Sequence, residues 1–293
     1  MATMRLRARV MLSAIVMFLM VGTAYADSKL SFRLTGGGTY ISGGDVNPGT
    51  KAFFDPGTWL ASSGGYRSLH SGYEIGGDII FAFTPRLGLG IGGGYVQISR
   101  YSQMGLSPDS PSFVHGLVSS DTKLSAIPIR AGVFLTLPLR GKFDILADLG
   151  LSYYFKSSFG NESMRLFLSD GTMYSFLVIT TRAEKKGFPV GVHAGVCLEY
   201  KLGQNYSFFL GAQARYARFR GWTGRSVLLD NSDPPLSEYE GGTLYYEDVP
   251  ELAGAPRLLM VQESPPPGPE GEPRQAVIDF SGVSLQLGIR IRL

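Results

Sequence analysis

Alternation of apolar and polar residues with a period of two dominates the chain after its first 26 residues. In the last segment every second residue from Val283 to Leu293 is apolar, and the residues between them include Gln286, Arg290 and Arg292. Successive side chains of a strand point to opposite faces, so this pattern predicts a strand with one apolar and one polar face. A soluble sandwich strand allows such a pattern, but a strand between lipid and a polar lumen requires it.

Eight segments alternate in this way, and long and short connections between them follow each other in alternation. The segments are 28–41, 71–83, 87–101, 124–137, 142–156, 188–201, 206–219 and one that begins near Asp279. The four long loops cover about 42–70, 102–123, 157–187 and 220–278. Short turns at one end and long loops at the other are typical of membrane barrels. The sequence therefore predicts an all-β fold, an eight-stranded antiparallel up-and-down transmembrane β-barrel.

The polar faces of these segments carry charges of both signs. An unpaired charge in a dry core costs several kcal/mol, whereas charges that share a narrow lumen can pair and fill it. We therefore expect a structural charge network in the lumen, with Lys156 on the same face. Its predicted members are Arg33, Glu74, Asp78, Arg100, Arg130, Asp144, Asp148, Glu199, Arg215, Arg290 and Arg292.

The N-terminal segment predicts export. Arg5, Arg7 and Arg9 precede an apolar run at 10–21, and small residues flank a cleavage point after Ala26. This is the pattern of a cleaved signal peptide over 1–26, which leaves 27–293 as the barrel domain; a retained anchor is the alternative. The whole chain has 27 basic and 24 acidic side chains, so removal of the three leader arginines leaves 24 of each. This neutral balance does not favour a nucleic-acid partner.

The chain resembles the small outer-membrane β-barrel family, the OmpA/OmpX/OmpW-like group. The resemblance is carried by the leader, by Ile127-Pro128-Ile129-Arg130 and by the residues from Asp279 to Val283 that lead into the last strand. It implies localisation in the cell outer membrane, contact with outer-membrane lipid, and recognition of the C-terminal strand by the barrel-assembly machinery. In that family the last residue is usually Phe, whereas here it is Leu293.

Two of the long loops have features of their own. In the third loop, 164–168 and 172–181 predict a β-hairpin above the membrane, with a ten-stranded barrel as the alternative. In the fourth loop, residues 223–274 hold ten acids against three arginines. We interpret it as a solvated, mobile loop, with a surface for a partner or a divalent cation as the functional alternative. The candidate contacts for an unknown extracellular ligand are Trp59, Tyr245, Tyr246, Glu247 and Asp248.

No motif indicates a cofactor, a bound metal or catalysis. Gly88-x-Gly90-x-x-Gly93 lies inside an alternating strand and lacks the following helix that a dinucleotide site requires. The single cysteine, Cys197, is expected to be a small core or lumen residue. The prediction is a non-enzymatic structural or surface-interaction protein. The alternatives are a narrow channel for small or apolar solutes, as the resemblance to OmpW implies, and an outer-membrane lipid hydrolase that uses His193.

Overall fold

The computed structural model describes residues 29–55, 60–107, 114–169, 172–231, 237–248, 257–266 and 271–293. In these ranges the chain forms one short helix, α1 (Val46–Ala52), and fifteen strands. The strands are β1 (Lys29–Ile41), β2 (Leu60–Gly65), β3 (Ser71–Ala82), β4 (Leu87–Ser107), β5 (Val114–Pro138), β6 (Phe143–Ser169), β7 (Thr172–Lys185), β8 (Val190–Lys201), β9 (Tyr206–Tyr216), β10 (Arg218–Phe219), β11 (Trp222–Asp230), β12 (Ser237–Asp248), β13 (Arg257–Gln262), β14 (Ile278–Asp279) and β15 (Gly282–Arg292). No helix in the described part of the chain has the length and apolarity needed to cross a bilayer. The predicted leader lies outside the described residues.

Eight of the strands form a closed antiparallel ring. Pairing runs from β1 through β3, β4, β5, β6, β8 and β9 to β15. The ring closes where β15 pairs with β1, with Leu34 opposite Ile289 and Tyr40 opposite Val283. The predicted ring of eight antiparallel strands is confirmed. The ten-stranded alternative is wrong, because β7 pairs with β6 and β11 and is not a member of the ring.

The two faces of the ring differ sharply in polarity. On the outer face Leu149, Leu210 and Leu285 are 65%, 66% and 69% exposed. On the inner face Arg33 and Glu74 are buried. A ring lets one sheet keep an apolar exterior and a polar interior, because every strand contributes alternate side chains to each side.

Three ring strands continue far beyond the ring, which corrects the predicted second and third loops. β5 and β6 remain paired from Pro138 opposite Asp144 to Val114 opposite Ser169. β2 adds to β4, and β7, β11, β12 and β13 extend the sheet from β6. Most of 102–123 and 157–187 is therefore strand. The predicted hairpin in the third loop is present, as β6 and β7 pair up to Ser169 and Thr172.

These extensions and α1 enclose a second apolar core, and we call this part of the protein the cap. One cluster of buried residues includes Phe53, Phe54, Met104, Leu106, Val118, Ile179, Leu228, Leu258 and Met260. A second cluster joins Val46 and Leu69 to Leu244, Tyr246, Leu259, Val261 and Ile278. Helix α1 lies directly on β13, since a Cβ at Gly49 would come 2.8 Å from Leu259 Cγ. In its described part, the fourth loop is therefore folded against a core, and the expectation of a solvated, mobile loop is wrong there.

At Lys156 the predicted face is wrong. Its φ of 46° lies in the left-handed region, which is uncommon for residues other than glycine. This conformation interrupts the alternation of β6, and the lysine is exposed, with its ammonium 5.5 Å from the centre of the Phe155 ring. The chain thus leaves the ring register at Lys156, where β6 exchanges β8 for β7 as its neighbour.

Candidate functional site

The interior of the ring is occupied by ion pairs, and Glu74 of β3 joins two of its arginines. Its carboxylate lies 3.2 Å from Arg130 and 2.6 Å from Arg215. The Ser284 hydroxyl donates to the same carboxylate at 3.0 Å. Arg215 also donates to the Phe280 carbonyl at 3.0 Å and to the Thr39 hydroxyl. Because these groups come from β1, β3, β5, β9 and β15, they bridge opposite walls of the ring.

A second group of pairs surrounds Arg33 of β1. Arg33 lies 2.7 Å from Asp78 and 3.7 Å from Asp148, and its guanidinium lies between the Phe134 and Phe209 rings at 5.2 and 5.6 Å. Arg130 approaches Asp78 at 3.3 Å and so connects this group to Glu74. A cation held by two carboxylates and two aromatic faces is fixed in position without access to solvent.

A third group lies at the end of the ring with the short turns. Glu199 pairs with Arg290 at 3.2 Å and with Arg292, and it accepts a hydrogen bond from Ser207. Asp144 pairs with Lys201 at 2.6 Å and contacts Arg292 at 4.0 Å. These pairs close the interior at this end.

Apolar side chains complete the filling. Ile80, Phe134, Leu146, Cys197 and Phe209 form a buried cluster inside the ring. At the cap end, the rings of Tyr154, Phe219, Phe280 and Trp222 pack on one another at centroid distances of 5.2 to 6.5 Å. These four aromatics belong to the same buried cluster as Val46 and Leu244 of the cap.

The structure joins ten of the eleven predicted network residues in ion pairs. Arg100 is the exception: it lies beyond the ring, opposite Thr122, and forms no ion pair with any described residue. Sequence reasoning did not include Gln213 and Ser284 in the network. Both lie on the inner face, and the signal that identifies them is the same alternation that identified the charges.

One interior group combines the residue types of a hydrolase triad. Ser152 Oγ lies 2.8 Å from His193 Nδ1, and His193 Nε2 lies 3.7 Å from Asp148. The three side chains are 2%, 4% and 7% exposed, and Asp148 also contacts Arg33. A catalytic triad needs an accessible nucleophile beside an oxyanion site. Here the serine faces a filled interior, and no pattern in the sequence indicated that it would meet His193.

The predicted surface contacts are mostly not at the surface. Tyr245, Tyr246 and Glu247 are 8%, 4% and 1% exposed, because β12 is covered by α1, β13 and the segment around Arg274. Asp248 ends β12, and Trp59 lies outside the described residues. The described part of the chain contains no group of three or more His, Cys, Asp or Glu side chains placed to hold a metal ion.

Two polar side chains fix the first loop within the cap. Arg165 donates to the Phe53 carbonyl at 2.6 Å, and burial lowers the pKa of Arg165 to about 10 against the opposing effect of Asp55. Tyr66 donates to Asn47 at 2.9 Å, and burial raises the pKa of Tyr66 to about 12. At neutral pH the arginine is charged and the phenol is neutral, as both hydrogen bonds require.

No protein-family model matches the chain, and no curated protein matches it. Among solved structures, it is similar to the outer membrane protein OprG from Pseudomonas aeruginosa, with a TM-score of 0.38 and 10% identity over 91% of this chain and 96% of that one. A major outer membrane protein from Thermus thermophilus gives a TM-score of 0.35 and 12% identity over 90% and 99%. CarO2 from Acinetobacter baumannii gives 0.32 and 10% over 91% and 100%.

Proposed function

We propose that the ring spans the outer membrane as a closed β-barrel, exported by means of the leader. The observation that supports this is the pairing of a continuous exposed apolar exterior with a charged interior on the same eight strands. Backbone groups in hydrocarbon must pair internally, and a closed ring achieves this without an edge. Exposed leucines at 65% or more, as at Leu149, Leu210 and Leu285, are stable against lipid and costly against water.

We infer that the barrel is a closed structural support for the cap and carries no solute. The ion pairs of Glu74, Arg33 and Glu199 cross the interior at successive heights, and four packed aromatics lie above them. A pore needs a continuous polar path, whereas these side chains fill the interior with one another. The cap then supplies the outer surface, which supports a structural or surface-interaction role with an extracellular partner of unknown identity.

The placement in the membrane is tested with purified, detergent-solubilised protein and with cell fractions. We expect the protein in the outer-membrane fraction, and a different gel mobility for unboiled and boiled samples, because a closed barrel resists unfolding by detergent. A protein that stays in the aqueous fraction, with one mobility under both conditions, would overturn the proposal.

The closed interior is tested by single-channel recording in a planar bilayer. We expect no steady conductance from the wild-type protein. A steady, ohmic conductance would instead support the narrow channel for small or apolar solutes.

A specific observation, the Ser152–His193–Asp148 group, motivates a second candidate, a lipid hydrolase. Its burial supports a structural role, so overexpression of the protein should leave the cell's lipids unchanged. Altered lipid A or phospholipid in mass spectra, present with wild type and lost with His193→Ala, would establish the hydrolase instead.

A further inference from the structure

The outer surface of the cap sheet has an open groove of about 930 Å³ beside the barrel. It is formed by β5, β6, β7, β11 and β12, and its charged residues are Lys123, Arg182, Lys186, Arg225 and Glu184. Four cations against one acid is the reverse of the balance in 223–274, where ten acids meet three arginines. The lining of the groove is therefore basic.

Three of the cations lie in one row across four neighbouring strands. Lys123 of β5 is opposite Gly160 of β6, Gly160 is opposite Arg182 of β7, and Arg182 is opposite Arg225 of β11. All three cationic side chains are exposed, and none forms an ion pair with a described residue. Strands lie about 4.8 Å apart, so the row spans roughly 14 Å.

This row is unfavourable without an anion. Like charges directly opposite each other on a sheet destabilise it, and Arg182 and Arg225 are such a pair. Between Lys123 and Arg182, Gly160 leaves a gap, since a methyl group added there would meet no atom within 4 Å. Arginine forks match the geometry of phosphate oxygens, so two arginines, a lysine and a vacant position form a cradle for phosphate.

The position of the groove beside the apolar exterior of the barrel favours a lipid as the source of the phosphate. Lys186 is two residues from Phe188, a 79% exposed residue whose ring stacks on Tyr153 at 5.0 Å, next to the apolar exterior of the barrel. The row at Gly160 lies five residues beyond Phe155 along β6, on the cap side of the exposed apolar exterior. On the other side, the next row holds the exposed acids Asp121 and Glu162. On the barrel side the adjacent row holds one exposed acid, Glu184, opposite Ser158 and Thr223, so the cations form a narrow band with acids in the rows on both sides.

We propose that Lys123, Arg182 and Arg225 bind the phosphate groups of an outer-leaflet lipid whose acyl chains lie against the barrel. The inference rests on the proposed placement of the ring in the outer membrane. Its consequence is that the cap sheet is fixed at the membrane surface by headgroup contacts that lie beyond the closed ring.

In the test, detergent-solubilised, full-length protein is titrated with diphosphoryl lipid A, and the apparent Kd for this lipid is measured. We expect Arg182→Gln with Arg225→Gln to weaken binding at least tenfold. Gly160→Glu should weaken it similarly, because it places a carboxylate between the cations. The matched control is Arg86→Gln with Arg140→Gln, which removes two exposed arginines at the opposite end of the ring and should leave the Kd within twofold.

Two further measurements distinguish the phosphate of a lipid headgroup from free inorganic phosphate. Dephosphorylated lipid A should bind at least tenfold more weakly than the diphosphoryl form, and inorganic phosphate should displace it no better than chloride of equal ionic strength. Wild-type binding by the Arg182/Arg225 variant, or full displacement by inorganic phosphate, would overturn the inference. The gel mobility of unboiled samples tests the barrel separately. A wild-type protein without a distinct unboiled mobility would overturn the proposed function. An intact barrel with unchanged lipid binding in the Arg182/Arg225 variant would refute the lipid site alone.

Discussion

At the scale of the residue, the interior depends on carboxylates that each hold more than one cation. Glu74 illustrates this, because it neutralises Arg130 and Arg215 from different walls of the ring. When one member of a buried pair is removed, the other is left as an uncompensated charge, and this costs more than the pair contributes. The acids of the interior are therefore expected to be the sensitive positions of the barrel.

We predict that Glu74→Gln destabilises the barrel by ~3 kcal/mol, because the substitution keeps the shape and removes the charge between two arginines. The measurement is urea unfolding in detergent, followed by the loss of the unboiled gel band. The control is Glu272→Gln, an exposed acid with the same chemical change, which should alter stability by less than about 0.5 kcal/mol. Equal midpoints for the two variants would contradict the role of Glu74.

Tyr66 gives a second prediction at this scale, one that concerns pH. Its pKa of about 12 in the folded protein exceeds the ordinary value of 10.0, so the folded state retains a proton that the unfolded state loses. The stability contributed by this group is fully present below pH 10 and is lost as pH rises towards about 12. In Tyr66→Phe, the unfolding midpoint should fall less steeply over this pH range than in wild type. The phenolate absorbance that wild type has and the variant lacks should appear only as the pH approaches about 12. If the difference in phenolate absorbance between wild type and Tyr66→Phe had its midpoint at pH 10, the burial of this phenol would be contradicted.

At the scale of the element, the ring strands and the hairpin of β6 and β7 were predictable, and the other cap strands were not. Along β6 the alternation of Leu149, Leu151 and Tyr153 with polar residues shows both faces at once. In the outer part of β5 the inward residues Ser120 and Thr122 are themselves polar and hydrogen-bond to Asn161 at 2.9 and 2.8 Å. Strands that are polar on both faces carry no period-two signal, so they appear as loops in the sequence.

The identity of the interior residues was predictable, but most of their partners were not. Arg33 and Asp78 lie directly opposite each other on neighbouring strands, a pairing that depends only on local register. Arg215 reaches Glu74 across the ring, from β9 to β3, which depends on how the whole ring closes. The same limit applies to Arg182 and Arg225, because their row exists only once β7 pairs with β11.

The connection between α1 and the fourth loop gives a prediction at this scale. Asp45, which precedes α1, accepts hydrogen bonds from Arg274 at 3.1 Å and from the Val277 amide at 2.7 Å. Asp45→Ala removes both, so the amides of 274–280 should exchange at least tenfold faster with deuterium, while those of β1 and β15 remain protected. The control is Asp121→Ala, an exposed acid on β5 that should leave both segments unchanged. Unchanged exchange at 274–280 in Asp45→Ala would contradict the connection.

At the scale of the whole molecule, the part of the cap at 223–274 joins the rest of the chain at only two points, so its role can be tested separately. The ring pairings involve none of residues 223–274, and Gly221 lies close to Gln275, where a short linker can join the ends. Excision of a surface insertion is tolerated when its ends are close and the remaining strands keep their partners. A variant with 223–274 replaced by a Gly-Ser linker should therefore still show a distinct unboiled gel mobility.

The shortened variant tests whether the interior ion pairs or residues 223–274 close the barrel to ions. The ion pairs of Glu74, Arg33 and Glu199 remain in it, so we predict no steady conductance in a planar bilayer. Adding Arg33→Ala, Glu74→Ala and Arg130→Ala to the shortened chain removes large side chains from the middle of the interior, and a steady conductance should then appear. If the shortened chain alone conducts, residues 223–274 close the barrel and the ion pairs only stabilise it. Because a filled interior and a covering cap both predict a silent full-length protein, only this comparison distinguishes them.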